Sequence, residues 1–180
     1  RSQRFGRQLS VMMLDLDGFK QYNDTFGHLA GDRALEALAI VLMHSVRSID
    51  IVARYGGDEF IILPRGDISQ EAMYAYCERI RHAVENFTFS FDTEPVNITV
   101  SIGFHLKKVE LADLDSMVSD LIHIADQALY LAKEKGRNRT ESLVDGSRCV
   151  DTAPLEPRDE SIPENRQAAG KASRKAPIFS

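Results

Sequence analysis

The sequence has no tryptophan and only two cysteines, Cys77 and Cys149. They stand far apart, in no spacing that reads as a metal or redox motif. That excludes a disulfide-stapled scaffold and a zinc ribbon, and it suits a reducing compartment. Cys77 falls on the apolar side of a helical pattern and reads as a small core residue. No apolar run approaches the ~20 residues that cross a bilayer, and no signal peptide opens the segment. The expectation is a cytoplasmic segment that makes no membrane contact of its own. Basic residues are not in excess either: 22 Lys and Arg stand against 27 Asp and Glu, for a net charge of −5. A nucleic-acid surface carries a basic footprint, so no nucleic-acid partner is expected. Nucleotides stay open, because a metal or a few local cations can meet phosphate on an acidic protein. The histidines at 44, 82, 105 and 123 show no ligand spacing, and each reads as a surface residue of a helix or strand.

What is present is the balance of a globular domain. The chain has 180 residues, 43% hydrophobic and 27% charged, enough for one domain with a real core. Residues 9–17, "LSVMMLDLD", are apolar at consecutive positions, as in a central strand buried on both faces. "GFKQYND" reads as one or two helical turns. From Asp32 to Arg47, Leu35, Leu38, Ala39, Leu42 and Val46 recur at helical spacing. "IVARY" and "DEFIIL" are strand-like and are joined by Gly56-Gly57, a two-residue hairpin signal. Asp67 or Ser69 can cap the next helix, whose stripe is Met73, Tyr76, Cys77, Ile80, Val84 and Phe87. Tyr74 and Tyr76 read as packing or interface residues on that helix. Val96 to Leu106 reads as mostly one strand. A further helix carries Leu114, Val118, Leu121, Ile122, Ala125, Leu129 and Ala132 on one face and stops at Gly136. A short closing strand fits Thr140 to Val144.

The order β-α-β-β-α-β-α implies an α+β fold with a central, mostly antiparallel sheet flanked by helices. A palm-like arrangement with a ferredoxin-like βαββαβ core is the expectation. It occupies residues 1–144. Beyond it, residues 145–180 hold four of the six prolines and few apolar residues without a period, so they read as a disordered tail.

Asp15 ends the first apolar strand, and Asp17 would point to the same side of it. A carboxylate at the end of a buried strand is costly unless paired or bound to a metal. "DLD" alone is equally well explained by a solvated strand end. Asp58 follows the glycine turn at once. If the hairpin pairs beside the first strand, Asp58 and Asp15 converge at one sheet edge, and carboxylates with a backbone carbonyl are what Mg²⁺ takes, with substrate phosphates completing its shell. The plain alternative is a good turn kept soluble by its acids.

The combination of "RYGGDEF" with "DLDGFKQYNDTFGHLAGD" is more specific. Together they resemble the GGDEF family of diguanylate cyclases, over about Leu9 to Asn138. The resemblance implies a nucleotidyl-cyclase-like palm that condenses two GTP into cyclic di-GMP and two pyrophosphates. It implies Mg²⁺ or Mn²⁺ held by Asp15, the carbonyl of Leu16, and Asp58. Asp58 also matches the proposed base for the ribose 3′-hydroxyl, Glu59 a supporting acid, and Lys20 the lysine at the reacting phosphate. Asn23 and Asp32 match the guanine-reading pair, with Phe19 and His28 at further substrate positions. Lys133 and Arg137 match residues that hold the terminal phosphates. Read as residues, those last two stand at i,i+4 helical spacing near a helix C-terminus, which puts two cations on one side. Without the resemblance they would pass for surface charges favoured by the helix dipole.

Each domain would hold one GTP, so the resemblance implies a homodimer for catalysis. "RSID" places Arg47 and Asp50 where the family has its product-binding inhibitory site, with Arg79 as a secondary arginine; a surface ion pair is the plain alternative. Members also carry a helix and a "DxLTGLxNR" segment before this region, which "RSQRFGRQLS" does not match. The expectation is therefore an N-terminally trimmed output domain, fused in the full protein to an N-terminal sensor that can tether it to a membrane. The competing reading is a catalytically silent domain that serves as a cyclic di-GMP receptor or dimerisation module. The intact Asp58, Glu59, Lys20 and Asn23 speak against it.

Overall fold

The computed structural model describes residues 8–89, 96–109 and 114–143. The expectation of a disordered tail at 145–180 lies outside the described residues. Among the described residues, seven strands and four helices follow in the order β1 (Gln8–Leu16), α1 (Phe19–Phe26), α2 (His28–Ser45), β2 (Ile51–Gly56), β3 (Glu59–Leu63), α3 (Gln70–Glu85), β4 (Thr88–Phe89), β5 (Val96–Asn97), β6 (Val100–Lys108), α4 (Leu114–Glu134) and β7 (Thr140–Ser142). The main sheet runs β2-β3-β1-β6-β7. Every pair in it is antiparallel except β6 with β7. This is the ferredoxin-like sheet expected from the sequence, with β7 added at one edge.

The run of apolar residues in β1 is explained by its place at the centre of the sheet. Met12, Leu14 and Leu16 point into the larger core with Phe60, Ile62, Ile102 and Phe104 and with the apolar stripes of α2 and α3. Val11 and Met13 point the other way, against Leu121, Ala125 and Leu129 of α4. Helices thus cover both faces, and each fully buried side chain of this kind contributes about 1.5–3 kcal/mol relative to exposure. Asp15 and Asp17 continue the odd-numbered face, the side on which α4 lies. On β6 the same face holds Ser101, Gly103 and His105. A Cβ on Gly103 would lie 2.1 Å from the backbone nitrogen of Leu129 and 2.2 Å from the carbonyl oxygen of Ala125. Glycine here lets α4 rest directly on the strand.

Several local expectations are corrected. The hairpin loop is Gly57–Asp58, not Gly56-Gly57: Gly56 still pairs with Glu59, and a bulge at Tyr55 shifts the register by one. Only Gly57 supplies the positive φ, at 51°. Helix α2 starts at His28, four residues early, because Gly27 serves as its N-cap. Val118 is 38% exposed on α4, and Met117 takes the buried position instead. The strand expected over Val96–Leu106 is split at Ile98–Thr99, and its first two residues pair with β4 in a separate small sheet. Phe87 lies past the end of α3 and packs edge-on against buried Phe89. His105 is not a surface residue: it is 3% exposed, with Nδ1 3.0 Å from the carbonyl of Leu143.

Ser69 is the N-cap of α3, its hydroxyl accepting from the Ala72 N–H at 3.2 Å. Asp67, the other candidate, instead accepts from the N–H of Gln8. Ser69→Ala is expected to cost about 1 kcal/mol, read as a lower urea midpoint with an unchanged slope. A midpoint equal to that of the parent would remove the cap from the account.

Candidate active site

The site gathers at the end of the sheet where β1 finishes and the β2–β3 hairpin turns. Asp15 pairs in register with Glu59 of β3 and Ser101 of β6. That position, in a central strand beneath a helix, leaves its residue only 7% exposed. Its Oδ2 lies 2.8 Å from Nζ of Lys133, which reaches down from the last turn of α4. Burial pushes the Asp15 carboxyl up; the Lys133 ammonium, through its hydrogen bond and charge, pulls it back; the charges of Asp58 and Glu59 push it up again. The result is about 6, against an ordinary 3.8. Folding therefore tightens proton binding at Asp15. Its contribution to stability is full below pH 3.8 and is lost as the pH rises through about 6. A carbon-13 titration of the metal-free protein is expected to place the Asp15 carboxyl midpoint near 6. A midpoint at the ordinary value would mean that the group is solvated.

Asp58 occupies the hairpin loop and is half-buried, and Glu59 opens β3. Arg54 steadies the tip by donating from Nε to the carbonyl of Gly57 at 2.8 Å. The charges of Asp58 and Glu59 both reach Asp15, so the three acids stand near one another at this end of the sheet. Among the described residues no three His, Cys, Asp or Glu side chains form a ready-made metal cage. The Leu16 residue is buried at the strand end, and Lys20 is exposed in the first turn of α1.

Phe19 packs against the larger core, and Asn23 lies one helical turn further along α1. The Asn23 Oδ1 is buried and, among the described residues, accepts no hydrogen bond. A Cβ on Gly31 of α2 would stand 1.8 Å from that oxygen, so Gly31 is what makes room for it. An acceptor buried without a donor costs about 1–3 kcal/mol, which a ligand N–H would recover. His28 and Asp32 are exposed on α2. Asp32 also stands on the rim of a groove of about 420 Å³ between α2 and the hairpin, floored by Leu35, Val52 and Phe60.

Lys133 and Arg137 do not share a helix face as their spacing predicts. Helix α4 ends at Glu134. Arg137 and Asn138 follow in the left-handed region, at φ 61° and 45°. Arg137 is exposed in this turn, and its N–H donates to the carbonyl of Ala132 at 3.0 Å. The turn is tied down by Asp17, which sequence reasoning did not assign to the site. Its Oδ2 accepts from the Asn138 N–H at 3.0 Å and from the Thr99 hydroxyl at 2.7 Å, and its Oδ1 accepts from the Ser101 hydroxyl at 2.6 Å. The second aspartate of "DLD" is the only trace of this role in the sequence.

Arg47, Asp50 and Arg79 meet around Tyr76, which is buried as expected of a packing residue. The Arg47 and Arg79 guanidinium carbons lie 5.5 and 4.8 Å from its ring centroid. The Tyr76 hydroxyl donates to Asp50 Oδ2 at 2.6 Å, and the Arg65 N–H donates to Asp50 Oδ1 at 2.9 Å. Burial, then the bond to Asp50, pushes the Tyr76 hydroxyl up to about 12. Asp50 is thus a structural acceptor, and both arginine side chains extend from exposed positions.

The family described as "Diguanylate cyclase, GGDEF domain" matches residues 1–139. Diguanylate cyclase A of Treponema denticola is 43% identical over 131 residues, 73% of this chain and 34% of that protein. Diguanylate cyclase DosC of Escherichia coli is 41% identical over 139 residues, 77% of this chain and 29% of that protein. The chain therefore spans about a third or less of these curated relatives. The crystal structure of the GGDEF domain of DgcB from Caulobacter crescentus, in complex with c-di-GMP, superposes with a TM-score of 0.70 at 30% identity, covering 78% of this chain and 81% of that one.

Proposed function

Since this chain belongs to the GGDEF family of diguanylate cyclases, we propose that it condenses two GTP into cyclic di-GMP and two pyrophosphates. The observation that carries the reading is the buried Asp15, pressed by the charges of Asp58 and Glu59 and met by Lys133. Acids with a lysine at a sheet end fit a metal–triphosphate. Asp15, Asp58 and the Leu16 carbonyl offer only hard oxygen donors, and a divalent cation would offset the burial, and then the neighbouring negative charge, that raise the Asp15 carboxyl. Mg²⁺ or Mn²⁺ bound there would neutralise the triphosphate and favour the ionised 3′-oxygen.

The chain's own residues do the rest. Asn23 Oδ1 accepts an N–H of guanine, and Asp32 accepts from N1–H and the 2-amino group, a donor pattern adenine does not present. Phe19 and His28 take the further substrate contacts that the family assigns to these positions. Lys133 and Arg137 take the terminal phosphates, and Lys20 meets the charge that grows at the α-phosphate. Asp58 takes the proton of the 3′-hydroxyl while that oxygen forms a bond to the α-phosphorus of the facing nucleotide and pyrophosphate leaves. Glu59 supports Asp58. Each domain supplies one nucleotide, so two copies must face one another. Turnover should appear with GTP and not with ATP; equal turnover of both would overturn the base-reading roles of Asn23 and Asp32.

Arg47 and Arg79, held over Tyr76, suit a guanine through O6 and N7, the acceptor pair that arginine also reads in DNA. Cyclic di-GMP bound there slows the enzyme. Arg47→Ala is expected to raise the product concentration needed for half-inhibition by ~10-fold or more, the loss of about 1.4 kcal/mol, with the uninhibited rate unchanged. An unaltered inhibition curve would reduce Arg47 and Asp50 to a surface pair.

A further inference from the structure

The turn after α4 holds two successive non-glycine residues in the left-handed region, Arg137 and Asn138. Such a conformation is costly and persists only where its surroundings over-determine it. Here they do, and everything converges on Asn138. Its N–H donates to Asp17 Oδ2 at 3.0 Å. Its side-chain Oδ1 accepts from Arg81 Nη1 at 2.8 Å, and its Nδ2 donates to Glu85 Oε1 at 2.7 Å. Arg81 is only 8% exposed, and it is itself fixed by Glu85 Oε2 at 3.1 Å and Glu78 Oε2 at 3.0 Å. One asparagine therefore ties the end of β1 to α3 across the turn that presents Arg137.

A fold could end α4 with a single glycine in this region, and Gly136 at φ 114° already stands there. The additional strained residues, and a buried Arg81 paired with Glu85 so that the two meet both ends of the Asn138 amide, call for a different purpose. The geometry points to Asn138, Asp17, Arg81 and Glu85 as a brace that sets Arg137 at a fixed place relative to Asp15. They are positioning residues for recognition of the terminal phosphates, acting through Arg137 and touching no substrate themselves. The inference rests on the phosphate role proposed for Arg137.

The bond from Asn138 Nδ2 to Glu85 can be reversed chemically. Asn138→Asp puts a carboxylate against the Glu85 carboxylate, while Asp still tolerates the left-handed backbone and still accepts from Arg81. Adding Glu85→Gln restores one donor and one acceptor across the contact. The test is calorimetric binding of a non-hydrolysable GTP analogue and of GMP, with Mg²⁺, to the parent chain, the single variant and the double variant. The parent should prefer the triphosphate. Asn138→Asp is expected to cut that preference ~10-fold or more with GMP affinity unchanged, and the double variant to regain most of it. A merely structural role would lower thermal stability and leave the preference intact, and that outcome would overturn the brace while leaving the phosphate site standing. A loss that falls equally on both nucleotides, or no recovery in the double variant, would also overturn it. A parent that does not distinguish the triphosphate from GMP would remove the phosphate role of Arg137, and the brace with it.

Discussion

Asp58→Ala is expected to lower cyclic di-GMP formation by ~10³-fold or more, about 4 kcal/mol of transition-state stabilisation. The size follows from what the residue is proposed to do at once: hold the metal beside Asp15 and accept the proton of the attacking 3′-hydroxyl. Both roles belong to the reacting centre. GTP binding should survive, because Asn23 and Asp32 at the base and Lys133 and Arg137 at the far phosphates are untouched. Folding should survive as well, since Asp58 lies in the two-residue hairpin loop, outside both paired strands. A second trace of the change is expected at Asp15. Removing one of the charges that push its carboxyl up should bring its titration midpoint below about 6. Turnover within a few-fold of the parent would sink the assignment of metal and base to this loop.

The second large effect is structural and reaches the site through packing. Gly103→Ala would put a methyl group 2.1 to 2.7 Å from three backbone atoms of α4, none of which can turn aside as a side-chain tip does. The helix must move off the sheet as a body. Overpacking of this kind costs about 1–3 kcal/mol and occasionally more, and the backbone character of the contact argues for the upper end. At ~3 kcal/mol the melting temperature of a domain this size should fall by roughly 6–12 °C. Because α4 also delivers Lys133 to Asp15, GTP affinity should weaken in the protein that remains folded. A melting temperature within about a degree of the parent would mean that α4 does not rest on β6 as described.

The two cases show what was legible in the sequence and what was not. The two-sided apolar run of β1 announced a central strand, and the acids at its end and beyond the glycine turn announced a site, because both depend on local pattern. The exact hairpin loop was not legible, because a bulge at Tyr55 moves the turn by one residue without altering composition. His105 reads as a surface residue of a strand, yet it lies on the sheet face that α4 covers and meets the Leu143 carbonyl just past β7. Lys133 and Arg137 stood at helical spacing, but α4 ends between them. The roles of Asp17, Arg81, Glu85 and Asn138 depend on contacts between residues 53 to 121 positions apart, and no window of sequence contains them. The orphaned Asn23 oxygen belongs to the same class: only the approach of α1 to Gly31 of α2 buries it.

The most direct test of the central claim is the mass-spectrometric identification of what the protein makes from GTP and Mg²⁺, at a series of protein concentrations. The expected result is cyclic di-GMP with two pyrophosphates per molecule, at a rate that rises more than linearly with protein until the dimer is saturated. GTP left unconsumed by folded, dimeric, GTP-bound protein, or converted only to a linear dinucleotide or to GDP, would contradict it.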